Sequence, residues 1–243
     1  SLVGSEMCIR DRNNDIKFVA VNSHDEYLSL LTYSDTDNSS YKSAIDELSQ
    51  LGIINGFEDG TFKPQDNVTR AQAATMFATA LGYSDTKYQN IATDKAVFSD
   101  FLMSHWAYKY ADYVMKSADI SSGETNCILS GFEDGTFRPD NNVTIIQLLK
   151  MAICSLGEDG YMAEAVENGG YPNGYNTVAE KYGFSKGIAV DAINQPATRE
   201  QTAQIISNTI NMPIKRFGAI NSITADHKTE SEKFLVTYDG SKE

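Results

Sequence analysis

A nine-residue phrase occurs twice in this chain, and that recurrence limits the fold more than any other feature. Gly56-Phe57-Glu58-Asp59-Gly60-Thr61-Phe62-Lys63-Pro64 returns 75 residues later as Gly131-Phe132-Glu133-Asp134-Gly135-Thr136-Phe137-Arg138-Pro139. The exchange of Lys63 for Arg138 is the single difference. Downstream, at the same offset of 75, stand Thr69-Arg70-Ala71-Gln72 and Thr144-Ile145-Ile146-Gln147. Thr198-Arg199-Glu200-Gln201 is a third copy of this tetrapeptide, without the glycine-aspartate loop ahead of it. A chain of such repeats folds as similar units, each unable to bury its own apolar face, stacked on one shared core.

The chemistry at both ends predicts three equal helices. Each Thr suits an N-cap, and the Gln three residues on completes a capping box. Gly82, Gly157 and Asn211 each lie 13 residues beyond their Thr, where a left-handed residue closes a helix. Pro213 then blocks continuation of the third. Ala73, Ala74, Phe77, Ala80 and Leu81 give the first helix one apolar stripe. The second, from Ile145 to Leu156, is apolar nearly all round and is expected to be the most buried. The third offers Ala203, Ile205, Ile206 and Ile210. A further helix precedes each of these, at residues 41–51, 106–115 and 175–182. In the loops Asp59-Gly60 and Asp134-Gly135 make the turn, with Gly at positive φ. Phe57 and Phe62 fold inward, and Pro64 and Pro139 set the extended exit toward the capping Thr.

Charge and composition exclude several functions. The formal net charge of -13 over 243 residues argues against nucleic acid, which needs a basic face. It also disfavours an anionic bilayer, and no apolar run is long enough for a membrane helix. Cys8, Cys127 and Cys154 are too few and too scattered for a disulfide framework or a cysteine zinc site. Cys154, inside an apolar helix, reads as an inert core thiol. His24, His105 and His227 belong to no metal or nucleophile motif, and no carboxylate pair stands out, so no catalytic residue is assigned. Neither a cofactor nor a metal is expected. Asn55-x-Phe57-x-Asp59-Gly60 has a superficial calcium-loop spacing, but Phe57 and Phe132 occupy a position that needs an oxygen ligand.

The ordered set of motifs resembles the S-layer homology (SLH) repeats. Phe98-Ser99-Asp100, His105-Trp106-Ala107, the Gly-Phe-Glu-Asp-Gly-Thr-Phe-Arg-Pro loop and Thr-x-x-Gln look like one such repeat. Tyr33-Ser34-Asp35 with Tyr41 looks like the same opening in the first unit, Tyr41 standing where Trp106 stands in the second. Gly169-Gly170-Tyr171-Pro172-Asn173-Gly174-Tyr175 looks like the start of a degenerate third unit, its aromatic being Tyr171 or Tyr175. The expected repeats are 33–83, 97–157 and 158–212, flanked by tails at 13–32 and 213–243. Residues 1–12 resemble the conceptual translation of a sequencing adaptor and are set aside with Cys8. The lack of an export signal there therefore carries no weight. Ser121 to Cys127 reads as a surface excursion, and Phe234 to Tyr238 as the start of a strand.

The resemblance implies a mainly α fold: three helix-loop-helix repeats packed as a pseudo-threefold spindle around a central three-helix bundle. It also implies an extracellular, non-catalytic module anchoring a surface protein to an anionic secondary cell-wall polysaccharide that often carries pyruvate ketals. The binding grooves would lie between repeats. On that pattern the candidate ligand-binding residues are Arg70, Arg199, Asp35, Asp100, Trp106 and Tyr41. Arg70 and Arg199 start helices, where backbone N–H groups and the dipole favour an anion, and a guanidinium grips a carboxylate bidentately; the plain alternative is a solvated Arg. Trp106 is either a platform for a sugar ring or a core side chain. Ile145 takes the Arg place in the second unit, so that groove is expected to lack its anion contact. The partners implied are this polysaccharide and neither nucleic acid nor membrane, with the domain itself monomeric. The competing reading is a structural or protein-interaction module without glycan binding.

Overall fold

A computed structural model describes residues 5–10, 16–21, 32–89, 96–117 and 128–212. The expected excursion at 121–127 and strand at 234–238 lie outside them. Ser5–Arg10 (β1) and Ile16–Val21 (β2) pair as an antiparallel hairpin, Ser5 opposite Val21. The rest is mainly helical: α1 Lys42–Gln50, α2 Arg70–Ala80, α3 Asp85–Gln89, α4 Tyr108–Ser117, α5 Ile145–Ser155, α6 Ala163–Glu167, α7 Asn173–Tyr182 and α8 Arg199–Ile210. A π turn, Glu158–Met162, leads into α6, and a 3-10 turn, Val190–Ala192, precedes the approach to α8.

The starts of α2, α5 and α8 follow the local chemistry. Thr69, Thr144 and Thr198 each accept from the backbone of the Gln three residues on, and each Gln side chain reaches back to its Thr N–H. The ends differ more. Gly82 and Gly157 take positive φ (77° and 101°). Asn211 does not: its φ is -92°, right-handed, so the left-handed stop expected there is corrected. Its side chain acts instead, donating to the Ser207 carbonyl (3.0 Å) and to Glu47 (3.1 Å). Those two bonds fix the helix end without a strained backbone.

The residues just before the caps join the units. Val68 N–H donates to the Ala197 carbonyl (3.0 Å), Ala197 to Val143 (2.9 Å), and Val143 to Val68 (2.9 Å), a closed triangle of backbone bonds. All three residues are fully buried. The first N–H groups of each helix, orphans in isolation, also find carbonyls in another unit. Arg70 and Ala71 donate to Asn141 and Pro139, Ile145 and Ile146 to Gln195 and Ile193, Arg199 and Glu200 to Asp66 and Pro64.

Helix pairing crosses units as well. The helix before a loop packs on the capped helix of another unit: α1 on α8, α4 on α2, and α7 on α5. Of the eleven residues in α5, nine are buried, as its all-round apolar sequence requires. Cys154 is buried there. Phe62 and Phe137, one from each loop, are fully buried in the same core.

Candidate functional site

The two loops are built alike. Asp59 Oδ1 accepts from the backbone and hydroxyl of Thr61 (3.0 and 2.6 Å), and Gly60 turns at φ 83°. Phe57 N–H closes the turn on the Thr61 carbonyl at 2.8 Å. Gly56 and Gly131 are glycine because an opening aromatic lies against them. A Cβ would stand 2.2 Å from the Tyr33 ring in one loop and 2.3 Å from Phe98 in the other. Beyond the turn, Lys63 and Arg138 adopt left-handed φ of 56° and 57°, uncommon for residues with a side chain.

Asp35 and Asp100 hold that conformation. The two oxygens of Asp35 accept from Phe62 N–H and Lys63 N–H, both at 2.8 Å. Asp100 does the same for Phe137 (2.6 Å) and Arg138 (2.8 Å). These candidate residues therefore brace the loops.

Arg70 leaves its own unit and clamps the second loop. Its Nε donates to the Phe137 carbonyl at 2.7 Å, and Nη2 to the Ser130 carbonyl at 2.8 Å. The guanidinium lies 4.6 Å from the ring centre of Phe137 and 5.0 Å from that of Phe132. Arg199 clamps the first loop in the same way, through Phe62 (2.8 Å) and Asn55 (2.9 Å), over Phe62 and Phe57. Both are buried, 8% and 7% exposed. Burial pulls the Arg70 pKa down to about 10, opposed chiefly by nearby Tyr171. Burial lowers that of Arg199 too. Both remain cations at neutral pH, each with N–H groups beyond the two it donates.

The helix start itself is not an anion site, because its N–H groups are taken by the cap and by carbonyls of another unit. What remains available is the side chain. Ile145 also gains a reason. It is fully buried and its unit faces the third, where no glycine-aspartate loop exists to be clamped.

A cleft of about 630 Å³ opens beside the Arg70 clamp, walled by Ser130, Phe132, Arg138, Lys150 and Tyr171 among others. Lys150 donates to Ser130 Oγ at 2.8 Å and has no ion pair among the described residues. Arg138 is paired with Asp134 at 2.9 Å and lies 3.9 Å from the centre of the Phe132 ring. Tyr171, half exposed, brings the third unit to the cleft, with the Lys150 ammonium 5.9 Å from its ring centre. Burial raises its pKa, with Arg70 opposing. Tyr175, the other candidate opening, is buried against Cys154.

Trp106 and Tyr41 are not among the residues that wall this cleft. Trp106 is 57% exposed, ahead of α4 and beside His105. Tyr41 is half-buried and donates to the Gly187 carbonyl at 3.0 Å, and burial together with Glu200 raises its pKa. The repeat pattern alone does not single out Lys150 or Arg138, and it leaves the opening aromatic as Tyr171 or Tyr175. Two signals were present: Lys150 is the one charged residue in α5, and Tyr171 precedes α7 by two residues as Trp106 precedes α4. As for calcium, the Asn55 carbonyl and Asp59 face Arg199, Thr61 and Lys63 instead.

The S-layer homology domain family matches residues 32–74 and 97–144. Each match contains the opening aromatic, the bracing Asp, the loop and the capping Thr. These two segments are S-layer homology domains. The third unit lies outside both matches but keeps the SLH capping box, and its Arg199 clamps the first SLH loop. Similar proteins share the theme. Cell surface glycoprotein 1 of Acetivibrio thermocellus is 40% identical over 91 residues, 37% of this chain and 3% of that protein. The cellulosome-anchoring protein of the same organism is 36% identical over 92 residues, 38% and 18%. A cell surface protein of Thermoanaerobacter kivui is 26% identical over 181 residues, 74% and 21%. The chain thus spans at most about a fifth of these relatives' length. SLH domains and surface-layer relatives assign the chain to the cell surface, associated with the wall or S-layer. Among the described residues no helix is long and apolar enough to cross a membrane.

Proposed function

We propose that the chain is a non-catalytic module that anchors a surface protein by binding an anionic, pyruvylated secondary polysaccharide of the cell wall. The observation that carries this is the cleft where Arg70 and Lys150, neither ion-paired among the described residues, meet the half-exposed ring of Tyr171. In a chain of net charge -13, most lysines elsewhere in the described residues have a carboxylate, as Lys42, Lys109 and Lys181 do. With Asp134 paired to Arg138, Arg70 and Lys150 outnumber Glu133 on the cleft wall, and a net positive concave site favours an anion. Spare guanidinium donors suit a ketal carboxylate, and an aromatic face suits the sugar ring that carries it. Trp106, exposed near the second loop's own helix, is a further platform for the polymer.

A protein-interaction role has one observation in its favour: Val97, Leu102, Met103 and Trp106 are all exposed within ten residues, and exposed apolar patches mark interaction surfaces. Sedimentation of the full chain with purified walls decides between the two. Binding should vanish when the secondary polysaccharide is stripped from the wall. Binding that survives stripping replaces the polysaccharide reading with the protein one.

A further inference from the structure

We infer that the cleft beside Arg70 is a two-cation site for a saccharide bearing two negative charges, that the matching place beside Arg199 is a one-cation site, and that Lys150 sets the difference. This deepens the anchoring proposal and rests on it for the saccharide. Arg70 and Lys150 end on the two oxygens of a single residue: Nη2 on the Ser130 carbonyl and Nζ on Ser130 Oγ, both at 2.8 Å. Two like charges are thereby held on one residue, neither of them ion-paired among the described residues, and they outnumber Glu133, the wall's remaining carboxylate. Such a pair is repulsive on its own and attractive to a dianion. Arg138, on the same wall, contributes no net charge because Asp134 neutralises it.

The Arg199 clamp has the same first cation and lacks the second. Nη2 of Arg199 ends on the Asn55 carbonyl at 2.9 Å, as Arg70 does on Ser130. One repeat before Lys150 stands Thr75, whose hydroxyl donates to the Ala71 carbonyl of its own helix at 3.0 Å. Lys63 is drawn to Asp59 as Arg138 is to Asp134. Apart from Asp66, a carboxylate in the field of Arg199 where the second loop has Asn141, the charge difference between the two places lies at position 75 against position 150. Tyr171 completes the first site, since its ring lies under the Lys150 ammonium and its phenol within the field of Arg70.

The test uses two small probes on the full chain at about pH 7.5, where a phosphate monoester is mainly dianionic: glucose 1-phosphate and the monoanion glucuronate. Amide NMR shifts at Ser130 and Asn55 report each place separately. The parent should bind glucose 1-phosphate about tenfold more tightly than glucuronate at Ser130 and show no preference at Asn55. Lys150→Thr should level the two probes at Ser130 while melting like the parent. Lys150→Arg should restore the preference, and Thr75→Lys should create it at Asn55. A parent without preference, or a folded Lys150→Thr protein that keeps it, overturns the inference. Polymer-dependent wall binding without probe preference sinks this inference alone. Probe preference with wall binding that survives polymer stripping sinks the anchoring proposal instead.

Discussion

Arg199 and Phe62 are 137 residues apart in the chain and joined by a hydrogen bond of 2.8 Å from Nε to the buried carbonyl. That bond ties the last capped helix to the first loop. Arg70 and Phe137 make the equivalent bond at 2.7 Å between the first and second units. A cation that satisfies two carbonyls and stacks on a phenylalanine does structural work before it meets any ligand.

Arg70→Ala and Arg199→Ala should each cost about 3 kcal/mol, because charge-assisted bonds disappear and their carbonyl acceptors stay buried. Urea melts of the two variants measure this. Ile145→Arg should destabilise rather than create a third clamp, since no loop carbonyls await it. A loss below about 0.5 kcal/mol for both alanine variants, typical of surface changes, would show that the clamps are not structural.

Deleting residues 159–212 should abolish the cooperative thermal transition of the remainder. The deletion removes α8, on which α1 packs, and Ala197, which closes the backbone triangle with Val68 and Val143. Calorimetry checks it. A truncated chain that melts sharply at the parent temperature would mean the first two units are self-sufficient.

Phe62→Ala and Phe137→Ala should each lower stability by about 3–5 kcal/mol, the range for emptied aromatic core sites. Both rings are fully buried, and each packs on its unit's opening aromatic, Phe62 tilted against Tyr33 at 5.3 Å and Phe137 stacked on Phe98 at 5.2 Å. Denaturant midpoints report the loss.

Asp134 gives the loop an acid dependence. The Thr136 hydroxyl, then Arg138, depress its pKa from 3.8 to about 2. A carboxylate whose folded value lies below its unfolded one stabilises the fold above the unfolded pKa and loses that effect as pH falls through the folded one. Melting temperatures of parent and Asp134→Asn should therefore differ most above about pH 4 and converge toward about pH 2. A gap that stays constant over that interval would remove Asp134 as the source.

Capping is a matter of three residues, so Thr69 with Gln72, Thr144 with Gln147 and Thr198 with Gln201 were legible from spacing, as were the turns at Gly60 and Gly135. Burial of α5 followed from its composition. The repeats and their family could be read for the same reason: the motifs are contiguous. The destination of a long side chain is another matter. Nothing local to Arg70 or Arg199 says that the guanidinium ends on carbonyls 60 to 144 residues away. Nor does local sequence say that Asp35 and Asp100 spend both oxygens on a left-handed turn. Asn211 was open to a left-handed end, and contact with Glu47 of another unit left it right-handed. The cleft goes furthest beyond sequence, because Arg70, Lys150 and Tyr171 come from three different units. Local hydrogen bonding is encoded by spacing along the chain, whereas a site shared by three units exists only once their backbones have closed on one another.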